Sequence, residues 1–516
     1  MSDHSKEEEQ TGGVKSAFDE VDVAKVTKKD DVAGAFLAKI AARPDAAELL
    51  APWTLAEEKH MLRWKVDPII MTLMQFLTMM GAVDKVCIGT AAIMGLREDL
   101  NLQGQEYSWT SSSIYFGAIL AVYPTLIAMQ HMPAGKWMSA NCMAWGIILC
   151  ASAACKDFGG LMAARFILGL FEAIIFAGAG LIVAMWWKRP EQPWRTAVIF
   201  STLSSIMNGL LSYASIKYTG PLKQWQVLFL LVGAVTFAWS LLCFWLLPNS
   251  PVRAWWLTDR QKVIAVNRTA ENRTGVENKV FKWGQVKEAF LDPRTHLHFL
   301  VNLTLNVPNS GLTTFNSVII NSLGFSKEQT ILMALPTGVI SWVGSIIFAF
   351  IAVRSGKRCL TAAVSVIPPM IGTIVLTCVP RSNRSGSLGG LYCIWLYWSP
   401  YIVMQTVYYA NTGGYTKKLT VYGWAYIGYC VGCLVGPQTF KANEAPGYRS
   451  GIIAMLSCYG ISIVLIFLIW AYTAYLNRKK KAQLAEYLAK HRDDEDLVEP
   501  WHDQTDWENP RFVYLI

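Results

Sequence analysis

Apolar residues follow one another in long runs along most of the chain, and polar residues separate the runs. About 20 apolar residues are the length that a helix needs to cross the hydrocarbon of a bilayer. The runs therefore predict twelve transmembrane helices, six on either side of a longer polar stretch. Their predicted bounds are 67–93, 108–131, 138–155, 159–186, 197–217, 225–247, 296–321, 330–353, 360–380, 389–410, 420–440 and 450–476.

The polar segments complete the predicted organisation, an all-α integral membrane protein. The short loops on the two sides of the membrane carry equal numbers of lysine and arginine residues. Both tails and the central stretch carry further basic residues, as in RKKK at 478–481. Such an excess marks the cytosolic side. The predicted parts are a cytosolic N-terminal tail (1–66), a six-helix half (67–247), a cytosolic central loop (248–294), a second half (295–476) and a cytosolic C-terminal tail (477–516).

Composition and cysteine placement argue against nucleic-acid binding, metal binding and enzymatic activity. Hydrophobic residues make up 53% of the chain and charged ones 16%. The net charge of +9 comes without a basic and aromatic nucleic-acid module, so no nucleic-acid partner is expected. The cysteines lie mostly in apolar runs, and Cys430 and Cys433 form a CxxC without a second pair or a nearby histidine. We therefore expect no metal, no cofactor and no catalytic residue, hence no enzyme.

Two adjacent charges, Asp84 and Lys85, stand inside the first predicted helix. A charge within the bilayer costs at least ~2.5–3.5 kcal/mol on insertion scales, so such residues suggest an ion or substrate path. Adjacent side chains on a helix diverge by about 100°, so the two should have different partners. Lys85 would hold an anionic substrate group, and Asp84 would be its electrostatic partner or a proton carrier. Alternatively, both lie in water at the outer interface.

The fourth predicted helix carries Arg165 and, seven residues later, Glu172. Glu172 falls near the midplane, where a carboxyl that gains and loses a proton suits a proton relay. Arg165, two turns away on the same face, could bias that protonation or bind a substrate carboxylate. The alternative is a structural ion pair between helices with no part in transport.

Neutral polar side chains interrupt the seventh and tenth predicted helices, and for each of them hydrogen bonding between helices is the alternative role. Pro308 and Gly311 are expected to break the seventh helix, because broken helices often build midplane sites. The candidate substrate-binding residues are Lys85, Tyr115, Arg165, Asn309, Phe315, Gln405 and Tyr409, and the candidate proton-coupling residues are Asp84 and Glu172.

Three glycines of the eleventh predicted helix, Gly428, Gly432 and Gly436, repeat at four-residue spacing. Small residues at this spacing let two helix backbones approach closely. Outside the helices, Asn383-Arg-Ser385 is the glycosylation sequon on a predicted external loop, whereas the sequons at Asn267 and Asn272 are predicted to face the cytosol.

Several short motifs resemble those of one family, the anion:cation symporters of the major facilitator fold, and specifically the fungal allantoate permease group. The six-loop-six layout is also that of this fold, in which two halves rock around a midplane site. The resemblance covers about residues 66 to 516. The motifs are Asp84-Lys85, NLQG at 101–104, YSW at 107–109, RFILG at 165–169, FEA at 171–173, PNSP at 248–251, NTGGYTK at 411–417, GPQ at 436–438 and TDWENP at 505–510.

The resemblance implies a monomeric transporter that takes up a small organic carboxylate, such as a ureido acid or a vitamin, together with protons. It implies carboxylate binding and coupling for Asp84 and Lys85, and coupling for Glu172. The chain departs from the family in lacking the proline usual shortly after Glu172 and the aspartate usual in the loop after the second helix. The plasma membrane is expected, with the vacuolar or endoplasmic reticulum membrane as alternatives. An exporter and a sensor without net transport also stay open.

Overall fold

The computed structural model describes residues 32–188, 191–200, 203–270, 281–380, 382–490, 504–509 and 512–516. The predicted N-terminal tail is therefore described from residue 32 only, and the sequon at Asn272 lies outside the described residues. The described residues form helices and turns, and none of them is in a strand.

Each of the twelve predicted stretches is occupied by one helix or by consecutive shorter helices, which we label α1 to α12. They are α1 (Leu62–Met71 and Thr72–Ile93), α2 (Glu106–His131), α3 (Ala134–Ser152), α4 (Phe158–Glu172 and Ile174–Trp186), α5 (Gln192–Ile199 and Ser204–Ile216), α6 (Gln224–Leu246), α7 (Pro293–Ser322), α8 (Lys327–Ser355), α9 (Arg358–Ser365 and Ile367–Cys378), α10 (Arg384–Ile394, Trp395–Tyr397 and Trp398–Asn411), α11 (Tyr415–Gln438) and α12 (Arg449–Lys490).

Among the described residues, eight of these helices are long and apolar enough to cross a membrane. The other four are α3, α4, α7 and α10. Of these, α4 and α10 are interrupted, and α7 carries many polar side chains. The two halves nevertheless have six helices each, as predicted. Helices α1 and α7 begin, and α6 and α12 end, at one end of the bundle, which we call the tail face; the other end is the opposite face.

The expected break of α7 is wrong. The helix is continuous through Pro308, and Gly311 provides space for the ring of Phe440 instead of ending the helix. Neighbouring helices surround this segment and can satisfy the backbone groups that a proline frees. The interruption nearest to the charged residues lies in α4, at Ala173, directly after Glu172.

The glycine repeat of α11 packs against α7, which confirms the prediction of close helix contact. A β-carbon at Gly428, Gly432 or Gly436 would overlap the backbone of α7. In the first half, α2 and α4 approach each other in the same way at Gly117 and Gly169, where a β-carbon would overlap the partner's backbone. Close backbone approach is typical of helix pairs held by packing in lipid.

The two halves contact each other at both ends of the bundle. Near the opposite face, Tyr107 of α2 donates to the backbone oxygen of Thr314 in α7 (2.9 Å), and Ser111 bonds to the Thr314 hydroxyl (2.7 Å). Nearer the tail face, Tyr123 of α2 donates to the backbone oxygen of Thr420 in α11 (3.3 Å). We call this conformation closed, because hydrogen bonds join the two halves near both faces.

Short helices cover the tail face of the first half. Helix Val32–Ala41 packs Leu37 and Ile40 onto the central-loop helix Asp259–Ala270. From that loop helix, buried Arg268 pairs with Glu58 (2.9 Å) and with Glu191 (2.6 Å). The central loop is thus fixed to the first half by ion pairs.

Candidate functional site

Helices α1 and α4 bring the four predicted charges together as two ion pairs. Arg165 Nη1 lies 2.9 Å from Asp84 Oδ1, and Lys85 Nζ pairs with Glu172 Oε1. The prediction that neighbouring Asp84 and Lys85 have different partners is therefore confirmed. The ion pair of Arg165 is with Asp84 across the helices, not with Glu172 on its own helix.

All four side chains are removed from solvent. Asp84 is 0% exposed, and Arg165 and Glu172 are each 2% exposed; the side chain of Lys85 is 10% exposed. The alternative in which Asp84 and Lys85 meet water at the outer interface is therefore wrong. Two cations and two carboxylates cancel, so the site has no net charge, as a buried cluster requires.

Local sequence explains why Lys85 reaches Glu172. One turn earlier, the backbone oxygen of Gly81 accepts a second hydrogen bond from Lys85 Nζ (3.2 Å). A β-carbon on Gly81 would lie 3.6 Å from Glu172 Oε1 and 3.3 Å from Ile175. The contact with Ile175 would be tight and that with Glu172 ordinary, so the glycine relieves the packing beside the ion pair.

The second pair is less completely satisfied. Asp84 Oδ2 and Arg165 Nε and Nη2 are buried without a hydrogen-bond partner. The thiol of Cys87, a weak acceptor, lies close enough to Arg165 to interact, and the guanidinium carbon lies 5.4 Å from the centre of the Phe229 ring. Arg165 thus retains unused donor capacity next to the site.

A small cavity adjoins both cations at the boundary between the halves. It measures about 10 Å³, which is the space of roughly one water molecule. A cavity of this volume has no room for an organic anion in this closed conformation. The cavity is lined by Lys85, Ile88, Ser111, Ile114, Tyr115, Arg165 and Thr313.

Three of the predicted substrate-binding residues, Lys85, Tyr115 and Arg165, line this cavity, and the other four do not. Asn309 is buried and bonds to Asn306 and Tyr397. The remaining three lie farther toward the two faces: Phe315 in a ring cluster with Phe440 and Tyr448, Gln405 beside Tyr408, and Tyr409 against Gly180 of α4.

The sequence reasoning missed several neighbours of the site. Ser111 lines the cavity, as does Thr313, which is one of the neutral polar side chains expected to interrupt the seventh predicted helix. The ring of Tyr115 contacts Tyr429, which stacks on Tyr426 with ring centroids 5.4 Å apart. Tyr426 and Tyr429 lie three residues apart in the helix that carries the glycine repeat. Aromatic residues at this spacing on a predicted helix were the signal for an aromatic surface beside the charges.

Outside the helix bundle, Asn383 is exposed and begins a helix, its side chain accepting a hydrogen bond from the backbone of Gly386 (3.0 Å). Asn267 lies in the central-loop helix. Among the described residues, no group of three or more His, Cys, Asp and Glu side chains could hold a metal ion.

Comparison with known proteins agrees with this architecture. Residues 71–437 match the family model described as Major Facilitator Superfamily. The chain belongs to this superfamily. It is 37% identical to the MFS-type transporter cnsL of Penicillium expansum over 90% of this chain and 89% of that protein.

Two relatives from Saccharomyces cerevisiae locate the chain within the superfamily. The allantoate permease is 32% identical over 89% of this chain and 87% of its own. The thiamine pathway transporter THI73 is also 32% identical, over 87% of this chain and 85% of its own. This member of the major facilitator superfamily is therefore a multi-pass membrane transporter related to the fungal allantoate permease group.

Proposed function

We propose that the protein is a proton-coupled symporter that takes up a small organic carboxylate. The observation that carries the proposal is the buried pair of Lys85 and Glu172, whose cation also lines the cavity between the halves. A carboxylate substrate and a proton can together replace the interaction that this pair makes.

Charge balance provides the coupling. While Glu172 is ionised, it neutralises Lys85. When Glu172 takes up a proton, Lys85 loses the negative charge that this carboxylate provides, which is costly for a buried cation. A substrate carboxylate restores neutrality. Binding of the proton and binding of the anion therefore favour each other, and by linkage each raises the affinity for the other equally.

The neighbouring pair of Asp84 and Arg165 stays neutral while Glu172 is protonated and the anion binds. Because Arg165 also lines the cavity and has unused donors, it favours an anionic ligand over a cationic one. Asp84 is the second candidate for the proton-carrying group.

The substrate class follows from the same chemistry. A site with two cations suits a molecule with a carboxylate group, such as a ureido acid, a vitamin or a related anion. One relative is named as an allantoate permease, and allantoate is a ureido acid. We also propose that the tail face is cytosolic, with both tails inside, because basic residues accumulate there, and that the protein lies in the plasma membrane. Glycan on Asn267 would contradict this orientation, since its loop would then be external.

The test is transport by purified protein in proteoliposomes, with allantoate and other small carboxylates as probes. The Glu172→Gln variant imitates the protonated carboxyl. It should abolish accumulation driven by an acidic exterior but retain exchange of substrate for substrate, because exchange requires reorientation of the loaded carrier without net proton release. Glu98→Gln is the matched control, because Glu98 is exposed near the opposite face; it should leave both activities unchanged.

The outcomes separate the alternatives. Loss of both activities in Glu172→Gln would mean that Glu172 binds substrate or maintains the structure. Continued accumulation at an acidic exterior would assign the coupling to Asp84. A proton gradient that drives the probe out would identify an exporter, and binding without any flux would identify a sensor.

A further inference from the structure

The C-terminal segment, residues 504–509 and 512–516, lies against the tail face of the second half. Its centre is Asp506, which is 0% exposed. The carboxylate accepts from Arg294 Nη2 and from Lys417 Nζ, each at 2.6 Å. It also accepts from the backbone nitrogen of Gly413 (3.2 Å) and from the Tyr514 hydroxyl (2.9 Å). One carboxylate thus joins α7, α11 and the turn that precedes α11.

Electrostatics makes this carboxylate difficult to replace. Arg294 also pairs with Asp292, Lys417 pairs with Glu288 (2.7 Å), and Lys480 of α12 interacts with Asp506. Three cations then face three carboxylates. Although burial raises the pKa of Asp506, Arg294 and Lys417 lower it to about 2. Neutralising Asp506 leaves an excess cation in a region with little solvent, which is unfavourable.

Backbone contacts extend the attachment to α10 and α12. The side chain of Asn411, the last residue of α10, donates to the backbone oxygen of Leu515 (2.8 Å) and accepts from its nitrogen (2.7 Å). Asn477 of α12 makes the same two-way pair with Tyr514, at 2.9 and 3.0 Å. The backbone nitrogen of Arg358, at the start of α9, also donates to the backbone oxygen of Ile516 (2.8 Å). The segment therefore connects five helices of the second half, α7 and α9 to α12.

Two of these helix ends carry the contacts that close the tail face. Tyr409 of α10 lies two residues before Asn411, and its hydroxyl would be 3.0 Å from a β-carbon on Gly180 of α4. Thr420 of α11 lies three residues after Lys417 and accepts from Tyr123 of α2. The contacts of the segment given above are all with the second half, and two of the helix ends that it holds contact the first half.

We propose that Asp506 is a positioning residue for closure of the tail face. By holding the end of α10 and the start of α11 in register, it sets the contacts of Tyr409 and Thr420 with the first half, and so sets the balance between closed and open states. This role is independent of which substrate or ion is transported.

The test is hydrogen–deuterium exchange on the purified full chain carrying Asp506→Asn. Exchange should become at least ~threefold faster around Tyr123 in α2 and Gly180 in α4, because local opening controls exchange. The same rise is expected at the ends of α10 and α11. Exchange around Thr314, near the opposite face, should not rise.

The matched control is Glu508→Gln, which removes the same charge from the same segment. Glu508 is exposed, and its carboxylate accepts from the backbone of Thr505 within the segment (2.9 Å). This control should behave as the unmodified protein. A rise confined to α10 and α11, with α2 and α4 unchanged, would overturn the proposal, because the segment would then support its own half only.

A second variant covers the case in which Asp506→Asn does not fold. Asn477→Ala removes two hydrogen bonds to Tyr514 from α12, distant from α10 and α11 in the chain, and leaves every charge in place. It should produce a smaller rise in exchange at the same places in α2 and α4. No rise there, with faster exchange of the C-terminal segment itself, would also contradict the proposal.

Discussion

The two halves have the same number of helices and both bury charges near the tail face, but among the described residues the first half alone also buries charges deeper in the bundle. There, α1 and α4 hold Asp84, Lys85, Arg165 and Glu172. In the second half, the described buried charges lie near the tail face, and its middle carries neutral groups such as Asn309 and Tyr397. Under the proposed function, the first half changes protonation during transport, and the second half provides a neutral surface against which it closes.

The largest effect is expected from breaking the fully buried pair of Asp84 and Arg165. Asp84→Asn leaves the guanidinium without its counter-ion and should destabilise the protein by ~3–5 kcal/mol. Arg165→Gln in the same chain should recover part of that loss, since it removes the unpaired cation. Thermal unfolding in detergent measures both. If the stability losses of the two single variants add up to that of the double variant, the two residues are not coupled, contrary to the 2.9 Å contact.

A smaller effect is expected from the carboxylate of the second half. The pKa of Asp506 is lowered to about 2, so its stabilisation is complete above the unfolded value near ~4 and is lost as the pH falls from about 4 to about 2. The contribution is about 2 kcal/mol. The difference in unfolding temperature between the unmodified chain and Asp506→Asn should therefore be constant between about pH 5 and about pH 7. It should shrink in stronger acid. A constant difference at every pH would mean that ionisation of Asp506 is not the cause.

The sequence predicted the twelve helices, the close contact of α7 with α11 and the separate partners of Asp84 and Lys85. It did not predict that Arg165 pairs with Asp84, because the seven-residue spacing within α4 directed attention to Glu172. It also assigned no role to the C-terminal segment. The partners of Asp506 are 212 and 89 residues away in the chain, and nothing local in a polar segment indicates which distant helix ends it will join.

A further test compares substitutions at the site itself. Lys85→Gln removes the cation of α1 that faces the cavity and should weaken carboxylate binding by at least ~tenfold, whereas Lys85→Arg should retain part of the affinity because the charge remains. A titration of purified protein, read as a thermal shift, measures this. Unchanged affinity in Lys85→Gln would exclude a direct role for Lys85 in binding.

The smallest effect is expected in the neutral middle of the second half. Asn309→Ala removes the hydrogen bonds to Asn306 (2.8 Å) and Tyr397 (2.6 Å), a loss of about 1 kcal/mol. Uptake should keep its dependence on external pH, because no ionisable group is altered. A changed pH dependence in this variant would mean that coupling is shared between the halves, and the comparison would no longer hold.

The cavity beside Lys85, with space for about one water molecule, has a kinetic consequence. An organic anion does not fit in a cavity of this volume, so only the fraction of molecules in which the cavity is wider at a given moment can bind one there. The apparent affinity is then the intrinsic affinity reduced by that fraction. A substitution far from the cavity that loosens contacts between the halves would strengthen apparent binding without touching the ligand, and at high ligand concentration the rate of complex formation would level off at the rate of opening.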